Sequence, residues 1–511
     1  MINYWWVTRP KRKLNSVPEV LSTFAELSLN QQWEGQRTSH LSLEDALEQA
    51  GLKRQGERRD QGGGGARTYK AWLVSLGLIF TQETSKQIKL TLAGEAIING
   101  DSPVDVLKQQ VLKYQFPSSF SVGRGVDVSP RFKIHPFVFL LKLMMDERIG
   151  ELSQNEIANI VIVEAENESD KCYEKVVKRI LDYRSFGDYI LPADFNEKYG
   201  VSSNSTNLKD VANTMMNWLD YTQLTLRDEG KISIVPEKRA EVAKVLRRPL
   251  PFIDRPQSHE YYQRKYGIDP KHNKDTRNLS DSKTVTAKML AEQQIVKSYI
   301  ALSLQKPITK ITSEIVGHIV AATGLKEPIV LETLQRKYPN GSIGSFMTNY
   351  YEMAFKGKDE ATEFELATVE LFHDVFGYES IHVGPIGLTP DVLVLSDSNG
   401  YAGIIDNKAY SKYTISNDHR NRMVHNYIKG IKNYYSGDLP LSYFTYIAGG
   451  FGTKIDSQVR SIVNETGVHG SVINVHNMIE LVQQYEPKGY NHSDLRNLFT
   501  VDRQIVTADF A

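Results

Sequence analysis

The run Tyr401-Ala402-Gly403-Ile404-Ile405-Asp406-Asn407-Lys408 constrains this chain more than any other feature. It is apolar almost to its end, where two opposite charges stand two residues apart. Successive side chains of a strand leave opposite faces, so Asp406 and Lys408 share one face while Ile405 and Asn407 take the other. Upstream, Thr389-Pro390-Asp391 opens a second apolar run, Asp391-Val392-Leu393-Val394-Leu395. If the two strands pair, Asp391 and Asp406 converge at one edge. An amphipathic helix over residues 362–376, stopped by Gly377, precedes them. A helix over 417–434 and a third apolar run, Tyr443-Phe444-Thr445-Tyr446-Ile447-Ala448, follow. This order describes an α/β domain.

Two carboxylates beside an ammonium suit a hard cation. Mg²⁺ takes a few oxygen ligands and keeps several waters. Asp391, Asp406 and the backbone carbonyl of Asn407 would hold it, leaving room for a phosphate oxygen and an attacking water. Lys408 would orient that water or support the charge building on phosphorus. Glu365, on the preceding helix, offers a further carboxylate, directly or through water. A Pro-Asp followed at a distance by Asp-x-Lys also fits two solvated surface charges. The order of elements around it is that of the PD-(D/E)xK nuclease core.

The N-terminal half has a different texture. With 511 residues the chain has room for roughly three or four domains. Tyr69, Trp72, Leu73 and Leu76 fall on one helical face before Gly77. Two short strands, Leu78-Ile79-Phe80 and Ile88-Lys89-Leu90-Thr91-Leu92, flank a polar turn, and a helix resumes at Ala93. Helix, hairpin, helix is the order of a winged helix. The pattern returns with a helix ending in Trp218-Leu219, the strands Gln223-Leu224-Thr225-Leu226 and Lys231-Ile232-Ser233-Ile234-Val235, and a further helix. Before it, Ser153 and Glu156 have the spacing of a capping box. The expected fold class is therefore multidomain: mainly α-helical winged-helix recognition modules at 1–115 and 116–250, a linker and small helical region at 251–345, and an α/β PD-(D/E)xK nuclease domain at 346–511.

Net charge is zero, with 61 basic and 61 acidic residues, so nucleic-acid binding must come from local charge rather than the total. Lys53, Arg54, Arg58 and Arg59 precede four consecutive glycines and suit phosphates. Arg67, Thr68 and Lys70 start the first recognition helix and are candidates for base or phosphate contact. Asn213, Asn217 and Lys209 are the candidates in the second module, while Trp72 and Trp218 read as core. His419, Arg420 and Arg422 open the helix after the acidic pair, where they would touch DNA or a second copy. Cys172 is the only cysteine, which excludes an internal disulfide and a multi-cysteine zinc site. No apolar run reaches the roughly 18 residues of a membrane span, and the N-terminus lacks a signal-peptide pattern, so a cytoplasmic location is expected.

The stretch from Glu365 to Tyr378 resembles the first helix of the FokI-type cleavage domain. Gly403-Ile404-Ile405-Asp406-Asn407-Lys408-Ala409-Tyr410-Ser411 is similar to that domain's active-site strand, and Pro390-Asp391 occupies the matching place between them. The resemblance implies metal binding by Asp391 and Asp406 and a catalytic Lys408. Leu112-Lys113-Tyr114-Gln115-Phe116-Pro117-Ser118 and Ile134-His135-Pro136-Phe137-Val138-Phe139-Leu140-Leu141 resemble the AlwI-like Type IIS restriction enzymes. Both resemblances imply N-terminal reading of double-stranded DNA and C-terminal cutting outside the site, here expected to depend on Mg²⁺; the FokI-type resemblance implies transient homodimerisation through the nuclease domain. The alternatives are a nicking enzyme, a subunit of a heterodimeric endonuclease, or a winged-helix regulator with an inactive nuclease fold.

Overall fold

The computed structural model describes residues 2–54, 62–122, 128–200, 207–279, 284–384 and 388–510. Among them no helix is long and apolar enough to cross a membrane. The chain divides into two units, one of Met1–Ala301 with Thr312–Tyr338, the other of Leu302–Ile311 with Pro339–Ala511.

In the first unit the helix Gly64–Ser75 leads into an antiparallel hairpin of β1 (Ile79–Thr81) and β2 (Ile88–Leu90), followed by the helix Leu92–Ile98. Thr91 caps that last helix by accepting from the Gly94 N–H. The pattern recurs farther on. Helix Asn207–Tyr221 precedes β4 (Thr225–Asp228) and β5 (Lys231–Ile234), and β3 (Glu151–Ser153) adds a third antiparallel strand beside β5. The capping box forms as spaced: Ser153 Oγ accepts from the Glu156 N–H, and Glu156 Oε2 accepts from the Ser153 N–H.

Trp72 and Trp218 are fully buried, as expected of core residues. The Trp218 ring stacks on Phe137 at 5.7 Å and meets Tyr114 edge-on, and Tyr114 in turn packs on Tyr266. Tyr266 lies in the stretch expected to be linker. That expectation is corrected: the helix His259–Tyr266 buries Tyr262 and Tyr266, and Tyr266 donates its hydroxyl to the Gln110 carbonyl. Gln263 donates to the Val74 carbonyl, and Asp275 is clamped between Arg264 and Arg277. The segment is rich in charge, tyrosine and proline. Its apolar surface is carried by tyrosine rings, and the Tyr266 hydroxyl finds a backbone partner inside the fold.

The second unit is built on a six-stranded sheet in the order β11-β10-β9-β8-β7-β6. β6 (Glu379–His382), β7 (Val392–Ser396) and β8 (Tyr401–Lys408) pair antiparallel. β9 (Leu441–Ala448), β10 (His469–Asn474) and β11 (Arg503–Gln504) continue in parallel from β8. The central strands are buried on both faces, which is why they read as nearly unbroken apolar runs. One face packs Val392, Val394, Ile405 and Tyr443 with helices Ile343–Met353, Ala361–Glu370, Val475–Tyr485 and His492–Phe499. The other packs Leu393, Ile404, Phe444 and Tyr446 beneath Met423, Val424, Val459 and Ile462. Gly403 permits this packing, because a Cβ there would stand 2.4 Å from Tyr443 Cζ.

Candidate active site

The β7–β8 register pairs Val392 with Ile405 and so sets Asp391 opposite Asp406. The Asn407 N–H donates to Asp391 Oδ2 at 2.6 Å. Lys408 Nζ lies 2.6 Å from Asp406 Oδ2 and 4.0 Å from Asp391 Oδ2, and donates to the Asn407 carbonyl at 3.1 Å. The two-residue alternation holds: Asp406 and Lys408 meet on one face. Asn407 turns away, and its Nδ2 donates to Thr368 Oγ1 on helix Ala361–Glu370 at 2.7 Å.

Burial, and next the adjacent Asp406 charge, push the Asp391 carboxyl well above the ordinary carboxylate range; Glu365 adds to the push and Lys408 opposes it. Burial works against the Lys408 ammonium too, but Asp406 and then Asp391 outweigh it and hold Lys408 above its ordinary value. Asp406 is 2 % exposed, and among the described residues its Oδ1 has no hydrogen-bond partner. An orphaned carboxylate oxygen and a neighbouring carboxyl whose charge is disfavoured both leave room for an added cation. Among the described residues no three His, Cys, Asp or Glu side chains are arranged around a metal position. The donors here are two carboxylates and a carbonyl, a short oxygen set that suits a hard ion retaining its waters.

Buried aromatic rings wall the Asp406 side. Tyr446 is raised well above its usual value, first by burial and then by Asp406. Tyr413 stacks near Tyr446, and its hydroxyl is 2.8 Å from His419 Nδ1. Burial, and then Lys408, lower His419.

Glu365 reaches Asp391 and Lys408 through its charge. Its Oε2 lies 2.9 Å from His382 Nε2, at the end of β6. His382 is the residue that sequence reasoning missed. The one available signal was a histidine in a polar strand just before the Pro-Asp.

The expected DNA contacts fare unevenly. Asn217 is 9 % exposed, with Oδ1 accepting from Arg227 and Nδ2 donating to the Asn213 carbonyl, so it serves the fold. Lys70 pairs with Glu34 at 2.8 Å, and Lys53 with Glu44 and Glu48. Arg67 and Thr68 are exposed, each also bonded to a backbone carbonyl of its own segment. Arg54 and Lys209 are exposed, and Asn213 is half-buried. Arg58 and Arg59 lie outside the described residues. Arg420 pairs with Glu465, and Arg422 with Asp418.

Residues 324–506 match the family model of the FokI cleavage domain, and residues 74–360 that of the AlwI restriction endonuclease. No curated protein matches. Similar solved structures include restriction endonuclease FokI, at 15% identity and a TM-score of 0.29 over 99% of this chain and 100% of that one. FokI bound to DNA is similar at the same identity and score over 99% of each chain. The BpuJ1 endonuclease binding domain, in complex with pyrene- and phenanthrene-modified DNA, is similar at 14% identity and a TM-score of 0.31, over 54% of this chain and 90% of that one. The AlwI match spans more than half the sequence, and the chain belongs to the AlwI restriction endonuclease family.

Proposed function

We propose that the chain is a Type IIS restriction endonuclease: the first unit reads a short asymmetric sequence in double-stranded DNA, and the second hydrolyses phosphodiester bonds outside it. The meeting of Asp391, Asp406 and Lys408 at the ends of β7 and β8 carries this reading. Asp391, Asp406 and the Asn407 carbonyl would hold Mg²⁺, which when bound would supply a Lewis acid for the phosphate and a lowered pKa for water.

The chain's own groups do the rest. Asp391 is held by the Asn407 N–H, so its second oxygen is aimed without a search. Asp406 offers its Oδ1, which has no partner among the described residues. Lys408, restrained by three oxygens, presents a fixed positive charge where negative charge builds on the phosphate, and a preorganised charge there costs no reorganisation in the transition state. The buried tyrosines beside Asp406 limit water at the site.

The helix–hairpin pairs of the first unit support reading by winged-helix modules. Arg54, Arg67, Thr68 and Lys209 are exposed there and remain contact candidates. One such site cuts one strand, so a double-strand break requires two, supplied by a transient homodimer of the nuclease domain.

Run-off sequencing of plasmid DNA digested with Mg²⁺ tests the reading. The expected product is a cut at constant offset from one sequence, lost in Asp406→Ala while specific binding survives. Random cutting, or full cutting by Asp406→Ala, would overturn it. Accumulation of open circles without linear product would identify a nicking enzyme instead.

A further inference from the structure

Beyond the charge that Glu365 adds at Asp391, the Glu365–His382 pair touches the framework that places Asp391. Glu365 and Thr368 stand three residues apart on helix Ala361–Glu370 and so share a face. From that face Thr368 accepts from Asn407 of β8, and Glu365 meets His382 of β6. Immediately after His382, the Val383 N–H donates to the Asp391 carbonyl at 3.0 Å. The helix is thus tied on one side to the strand bearing Asp406 and Lys408, and on the other to the chain beside Asp391. Gly384, at φ +79°, lets the backbone turn past the imidazole; a Cβ there would lie 3.3 Å from His382 Cε1.

Stability alone is a poor reason for such a pair. At 14 and 24 % exposed, the two side chains lose in hydration much of what their attraction gains, so the net energy of the contact is small. The partners of metal-holding groups, by contrast, commonly govern affinity by orienting them.

We propose that His382, held by Glu365, is a positioning residue: it fixes the end of β6 and, through the Val383–Asp391 hydrogen bond, the Asp391 backbone, so that both carboxylates are set for a divalent cation before it arrives. This rests on the reading of Asp391 and Asp406 as the cation's ligands.

The test uses the full chain and Mn²⁺ alone, with binding followed by electron paramagnetic resonance. In parallel, single-turnover cleavage at saturating DNA and DNA affinity in Ca²⁺ are measured. His382→Ala should weaken Mn²⁺ binding about 10- to 100-fold and slow cleavage, with DNA affinity unchanged. His382→Gln, whose amide can still donate to Glu365, should recover most of both. If the alanine variant does not fold, His382→Leu fills the space without the hydrogen bond and should show the same loss.

Wild-type Mn²⁺ affinity in the Ala or Leu variant would overturn the proposal. So would a loss of DNA affinity with unchanged Mn²⁺ binding, which would make His382 a DNA contact. The underlying reading fails differently: there, wild-type protein binds no Mn²⁺ at millimolar concentration, or Asp406→Asn binds it equally well. If Asp406→Asn loses the ion and His382→Ala keeps it, only the positioning role falls.

Discussion

Replacing Lys408 by methionine tests the electrostatics of the site without reference to cleavage. Methionine keeps much of the side chain's bulk and removes the charge. Lys408 Nζ stands 2.6 Å from Asp406 and 4.0 Å from Asp391, and the three side chains are 15, 3 and 17 % exposed. Removing one partner from a buried ion pair costs about 3–5 kcal/mol, because the other charge stays buried and unpaired. Here the cost falls near the lower end, about 3 kcal/mol, because the raised Asp391 carboxyl can take up a proton and relieve the repulsion. The sign of the pH effect follows. A carboxyl raised in the folded state favours folding fully below its unfolded value, and that advantage fades as pH rises through the folded value. The metal-free variant should therefore regain stability as pH falls toward the ordinary aspartate range. In a unit of this size about 3 kcal/mol corresponds to a melting shift of roughly 6–12 °C. Calorimetry in EDTA, with hydrogen exchange of β7 and β8 to identify the transition, reads it. Mg²⁺ at about 100 times its Kd should return about 2.7 kcal/mol, most of the loss. A variant that melts with wild type in EDTA, or that Mg²⁺ leaves unmoved, would refute the account of three charges balanced in one buried place.

Two further outcomes follow from packing and burial. Gly403→Ala drives a Cβ into the Tyr443 ring, which itself stacks on Phe499 at 5.1 Å, and should cost about 1–3 kcal/mol with a fall in cleavage, read by denaturant unfolding and plasmid cutting; unchanged stability would mean that β8 and β9 are looser than described. Lys113 is buried, which lowers its pKa to about 7, while its Nζ donates to the carbonyls of Tyr266 and Ile268. With the folded value below the unfolded one, the unfolded chain binds more protons between the two, so the first unit should gain stability as pH rises from about 7 toward 10, by up to about 1.4 kcal/mol per unit. Denaturation of wild type and Lys113→Met across that range should differ in slope, and parallel curves would contradict the lowered value.

The acidic pair and its lysine were legible because strand alternation is a local rule: Asp406 and Lys408 share a face whatever surrounds them. The helix–hairpin order was legible for the same reason, through helical spacing, a capping box and glycine stops. The DNA-contact candidates rest on no such local rule. A charge or amide on a helix looks the same in sequence whether it faces solvent or finds a partner. Asn217 is taken by Arg227, and Lys70 by Glu34. The supposed linker failed for a related reason. Tyr262 and Tyr266 count as polar-textured in a chain scan, but their rings fill a core assembled from Tyr114, Gln110 and Val74, far away in sequence.

Sequence by itself determined that Asp406 and Lys408 face one way, since bonded geometry propagates over two residues without help. Tertiary structure alone decided that β7 pairs with β8 so that Asp391 meets Asp406, that Glu365 turns to His382, and that several basic residues of the first unit are neutralised in place. Those outcomes depend on contacts between segments distant along the chain, whose energies arise only once burial has brought them together.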